Sequence, residues 1–179
     1  MTIPHSELAT RIRQLRADAI LGKKKHYNAA DRKQRYNLWL GIAIIAINVF
    51  LASAVVVLLK ESIPEQTKWI GAGLSFLAAL IAGFQSFFGF QKAVTGHRLI
   101  AGRYLDVAKQ SSNVLASYSD GAISESQLSK KLDTLTSLMT RIDSDAHAFP
   151  TNDADFQLAR TGIDSGEETY TDSDLKAGG

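Results

Sequence analysis

Two stretches of this chain, Leu38 to Leu59 and Trp69 to Phe90, contain no Asp, Glu, Lys, Arg or His and are mostly apolar. Each is about 22 residues long, which as a helix rising 1.5 Å per residue spans about 33 Å, against a bilayer hydrocarbon core of about 30 Å. A helix in a soluble bundle keeps a solvated polar face, and a run free of charge over about six turns has none. A cleaved secretory leader fits poorly, because the first run begins at Leu38 and exceeds the length of an h-region. The two runs therefore predict two membrane-crossing helices joined by the short segment Lys60 to Lys68.

The whole-chain averages conceal this segregation. With 179 residues and a formal charge of +2 the chain has the size of one ordinary domain. It has no cysteine, so disulfides and thiolate metal sites are excluded. Basic residues crowd the outer flanks of the spans: Lys23, Lys24, Lys25, Arg32, Lys33 and Arg35 before the first, and Lys92, Arg98, Arg103 and Lys109 after the second. The connecting segment carries Lys60 and Lys68, offset by Glu61 and Glu65. Positive charge is retained on the cytoplasmic side, so both termini are expected there. Pro64 favours a tight reversal, and Trp39 and Trp69 fall where indoles sit at the two headgroup interfaces.

Lipid gives helices no hydrophobic reason to associate, so small and polar residues within the spans are the informative ones. Gly71, Ser75, Ala79 and Gly83 recur every fourth position and predict a face on which another backbone packs closely. Asn48 lies near mid-membrane, where an amide without a partner costs several kcal/mol. Two readings stay open for it: a hydrogen bond to Ser75, Ser86 or a backbone carbonyl inside the hairpin, or a place with Ser53, Gln85 and Ser86 along a water-filled pore built from several copies. The lack of ionisable residues in the spans argues against a proton relay, voltage sensor or ion-coupled transporter.

The remainder reads as helix, giving an all-α fold: a two-helix transmembrane hairpin continuous with a cytoplasmic helical bundle. The expected divisions are 1–37 as N-terminal amphipathic and basic helices, 38–90 as the hairpin, 91–161 as the cytoplasmic helical domain, and 162–179 as a disordered acidic tail. Ser6 is a candidate N-cap ahead of Leu8, Ile12, Leu15 and Ala19, and Gly22 a candidate interruption. The basic cluster Lys23, Lys24, Lys25, Arg32, Lys33 and Arg35 is read first as contacting anionic lipid, with capture of an anionic signal as the alternative and direct nucleic-acid binding disfavoured. The second span should continue as helix to about Tyr118, with Val94, His97, Ala101, Tyr104, Ala108, Ser111 and Leu115 forming a seam. Within it, His97 and Tyr104 are expected to pack as a seam pair satisfied by local hydrogen bonds. After an Asp120-Gly121 turn, Ser124 and Gln127 suit a capping box, and Leu128, Leu132, Leu135, Met139, Ile142 and Ala146 make the facing stripe. Pro150 ends that helix, and a short helix near Asp153 to Arg160 is expected to dock back.

Nucleotide-binding loops and zinc-protease patterns are absent, and the four histidines show no ligand spacing. No enzyme activity and no cofactor are expected. The order of features resembles the SLATT family, small two-transmembrane proteins of prokaryotic nucleotide-signalling and anti-phage systems. The likeness rests on Lys24-Lys25-His26-Tyr27-Asn28-Ala29-Ala30, on Phe90 through His97 to Tyr104, on the Asp120-Gly121 turn, and on Pro150 leading to Phe156-Gln157-Leu158-Ala159-Arg160. It implies an effector that assembles with itself in the membrane and opens or disrupts it when an associated sensor signals infection. The cue would be a cyclic nucleotide from a synthase, a reverse-transcriptase module or another protein partner. The alternatives are a membrane anchor for a cytoplasmic partner and a small housekeeping channel.

Overall fold

A computed structural model describes residues 6–58 and 64–169. These residues form α1 (Glu7–Leu58), α2 (Glu65–Phe88), α3 (Phe90–Ser119), α4 (Glu125–Ala146) and α5 (Asp153–Asp164), with no strand among them. The reversal expected around Lys60 lies outside the described residues. The chain divides into a hairpin unit, Asp31–Val94, and a helical unit made from Met1–Ala30 together with Thr95–Gly179.

α1 runs unbroken because no proline falls within it and its first half is rich in good helix formers, so Gly22 does not interrupt it. Gly22 is instead a point of close approach: a Cβ there would lie 2.9 Å from the Tyr104 ring. In the helical unit, Ile12, Leu15, Ala19, Gly22 and His26 recur at threes and fours and are all buried, which makes one inward stripe. The core joins Ile12, Leu15 and Ala19 of α1 to Ile100, Tyr104, Val107 and Ala108 of α3 and Leu128, Leu135 and Ile142 of α4. Burying each of the larger aliphatic side chains contributes about 1.5–3 kcal/mol.

The helix termini obey local chemistry. Ser124 and Gln127 form the reciprocal capping box expected for α4. Asn152 and Asp155 form a second one at α5, and the Asn28 amide donates to the Asp155 carbonyl, which fastens α5 to α1. α5 extends to Asp164, beyond its expected end. Residues 162–169, expected to belong to a disordered tail, form its final turn and cap; the rest of that tail, 170–179, lies outside the described residues.

In the hairpin unit α1 and α2 meet along a seam. Its partly buried positions are Asn37, Leu40, Ile44, Ile47 and Leu51 on α1, against Gly71, Leu74, Ala78, Ile81 and Gln85 on α2. Both sets step by threes and fours, the spacing of left-handed helix pairs. The expected continuous helix through the end of the second span is broken at Gly89, whose φ of 54° is left-handed; its N–H bonds the Ser86 carbonyl and closes α2. Ala78 is the one buried residue of α2, while Trp69, Phe76 and Phe87 are 73%, 66% and 84% exposed. Apolar area on this scale is stable against lipid or another protein, not water.

Candidate functional site

The polar centre of the helical unit is a histidine pair. His26 arrives on the inward stripe of α1 and His97 on that of α3, and their Nδ1 atoms lie 3.1 Å apart, with both side chains buried. At that distance one ring nitrogen donates and the other accepts, so the contact holds one proton. Burial, then His97, then Lys25 hold His26 down at about 4, opposed by Asp155. The rings of His26 and Tyr104 are 5.7 Å apart, and those of His97 and Phe149 are 5.8 Å apart. Phe149 enters because residue 96 is glycine: a Cβ there would fall 1.9 Å from its ring.

Tyr104 donates its phenolic hydrogen to Asp143 of α4 at 2.6 Å. Burial and this carboxylate push the phenol above its usual range. The seam position of His97 and Tyr104 agrees with the expectation, but their partners come from other helices rather than from neighbouring turns. His26 was hidden within a basic run; the signal that finds it is the phase of the stripe beginning at Ile12. The arrangement links α1, α3 and α4 through directional contacts, and a small cavity of about 280 Å³ beside it is bordered by Lys25, His26, Tyr104, Asp143 and His147. Among the described residues no group of three or more His, Asp or Glu could hold a metal ion.

The basic cluster is split. Lys23 bonds both carboxylate oxygens of Glu168, at 2.7 and 2.8 Å, and Lys24 pairs with Glu167 and, at 3.7 Å, with Glu168. Lys23 and Lys24, which the sequence assigned to lipid or signal, are thus engaged by the chain itself. Lys25 borders the cavity beside His26, while Arg32, Lys33 and Arg35 belong to the hairpin unit.

Within the hairpin, Gln85 reaches across to α1 and donates to the Asn37 side chain at 2.7 Å and to its carbonyl at 3.3 Å. Ser53 and Ser75 each donate back to a carbonyl one turn earlier, on Val49 and Gly71, and Ser86 is exposed. Asn48 is exposed and has no hydrogen bond among the described residues, so the bonds to Ser75 or Ser86 are not made within one hairpin. Gly71 lies on the α1-facing side, while Ser75, Ala79 and Gly83 point away from it. Phe76, Leu80, Phe84 and Phe87 wall a groove of about 500 Å³ floored by Ala79 and Gly83.

The family described as SMODS and SLOG-associating 2TM effector domain family 4 matches the chain over residues 8–174. The chain belongs to the SLATT family. No curated protein and no solved structure matches it. As a SLATT chain it is a two-pass membrane protein, with α2 and the latter part of α1 as its crossing segments. Two of the stretches that carried the family resemblance meet in the buried cluster: residues 24–30 supply His26, and residues 90–104 supply Gly96, His97 and Tyr104.

Proposed function

We propose that this SLATT protein is a homo-oligomeric effector of the bacterial inner membrane, with both termini in the cytoplasm, that opens or disrupts the membrane on activation in anti-phage defence and so causes abortive infection. The observation that carries the reading is the exposed apolar groove on α2. The hairpin seam uses Gly71, Leu74, Ala78, Ile81 and Gln85, and leaves Ser75, Ala79 and Gly83 facing outward, the last two between the side chains of Phe76, Leu80, Phe84 and Phe87. Small residues let helices in lipid approach closely enough to gain packing energy, and a second copy of the hairpin supplies a partner of matching length. Asn48, exposed at mid-depth, gains its missing partner or a water-lined position through such assembly. The excess of Lys and Arg on the flanks supports the cytoplasmic placement of the termini.

The test is expression in cells whose membrane potential is recorded, with oligomer size measured in detergent. Ala79→Leu fills the groove floor and should reduce both assembly and depolarisation. Depolarisation that persists undiminished with unchanged oligomer size would remove the groove as the assembly surface. A chain that leaves the potential intact with every activating partner supplied would leave the anchor reading standing instead.

A further inference from the structure

The C-terminal end of α5 is built as a hook. Gly166, at φ 87°, turns the chain back: its N–H bonds the Ile163 carbonyl, and the Glu167 N–H bonds the Gly162 carbonyl. This reciprocal cap aims Glu167 and Glu168 at α1. Gly162 has no Cβ where one would lie 2.5 Å from a Glu167 carboxylate oxygen, which leaves room for the ion pair above it. The lysine side chains are 13% (Lys23) and 12% (Lys24) exposed, whereas Glu168 is 28% and Glu167 62% exposed. The cations are therefore fixed in the fold, and the anions sit on top.

Beneath the hook lies a cavity of about 270 Å³ lined by Arg16, Lys23, Lys109, Ser112, Glu167 and Glu168, among others. The Arg16 Nε donates to the Ser112 hydroxyl at 2.8 Å, which orients its guanidinium. Lys109 has no ion-pair partner among the described residues. Three cations thus face two carboxylates across the cavity. Ammonium groups stripped of most of their water need an anion, and with the hook lifted that need passes to whatever anion enters. A phosphate monoester or diphosphate carries more charge than one carboxylate and accepts from several donors at once, and a guanidinium matches it with paired hydrogen bonds.

We infer that this cavity is a binding site for a soluble phosphate-bearing small molecule, and that Glu168, paired with the cavity's Lys23, together with Glu167, held beside it on Lys24, is a built-in competitor that the ligand displaces. Anion binding stands independently of the membrane reading; only its use as a trigger rests on the effector role proposed above.

The probe is inorganic pyrophosphate, titrated calorimetrically into the full-length protein in detergent at fixed ionic strength. Glu167→Gln with Glu168→Gln removes the competitor and should tighten binding by about tenfold or more, whereas Lys23→Gln with Lys109→Gln should abolish it. A second measurement covers the case in which the double glutamine chain misfolds. Because the chain has no cysteine, a spin label on Thr169→Cys reports the hook alone, and pyrophosphate should increase its mobility. Equal affinities in the wild-type and double glutamine proteins, or a label that pyrophosphate leaves unmoved, would overturn the assignment. So would release of the label by phosphatidylglycerol vesicles but not by pyrophosphate, which would place a lipid headgroup there. Binding with hook release but no change in membrane conductance would leave the site intact and count against the effector role.

Discussion

Acidification should loosen the helical unit through His26. Its folded-state value of about 4 lies below the ordinary 6.5, because the buried ring sits against His97 and near Lys25. As pH falls through 6.5 the unfolded chain takes up a proton that the folded chain refuses, so stability is full above that point, declines toward 4 and levels off below it. Between about pH 7 and about pH 5 the loss amounts to about 2 kcal/mol, and to about 3 kcal/mol once the titration is complete. Hydrogen exchange along α3, corrected for the chemical exchange rate, should show protection at Ile100 to Ser111 falling by roughly 20-fold over that interval. In His26→Asn, which keeps a polar group near the Nδ1 position without titrating, most of this pH dependence should vanish whatever its baseline stability. Identical pH profiles for the two proteins would refute the claim that burial of this ring is what makes the unit acid-sensitive.

Gly96→Ala should displace Phe149, since the added methyl occupies ring volume, and cost about 1–3 kcal/mol, seen as a lowered thermal midpoint of the helical unit. Gln85→Leu removes the amide clasp to Asn37 and should cost about 1 kcal/mol of hairpin stability; a double-mutant cycle with Asn37→Leu that returns zero coupling would discount the clasp. Asn48→Leu should alter single-channel conductance if this position lines a pore, whereas a change in stability at constant conductance would assign it to packing between copies.

The parts of the fold that could be read beforehand are those whose cause is local or periodic. The charge-free runs announce lipid because no soluble face exists on them, and the spacing from Val94 to Leu115 announces a buried seam because helical phase is carried by the sequence itself. The Ser124 capping box is legible for the same reason. Gly89 was not, because a glycine inside a small-residue stretch reads equally as packing or as a break, and only its left-handed backbone decides. The Gln85 clasp could not be read beforehand because its partner, Asn37, lies just outside the apolar run. Glu167 and Glu168 read as an unstructured acidic tail because their partners are 143 and 145 residues away, beyond the reach of any compositional window.

The helical unit is assembled from the two ends of the chain, with the whole hairpin, Asp31–Val94, inserted between them. On the ribosome, Ile12, Leu15 and His26 emerge first but find their partners only after both crossing segments have been made and α3 and α4 have followed. Throughout that interval the nascent protein holds a completed pair of membrane helices and an unmatched N-terminal segment. A message truncated after the second crossing would yield a hairpin without the unit built around it.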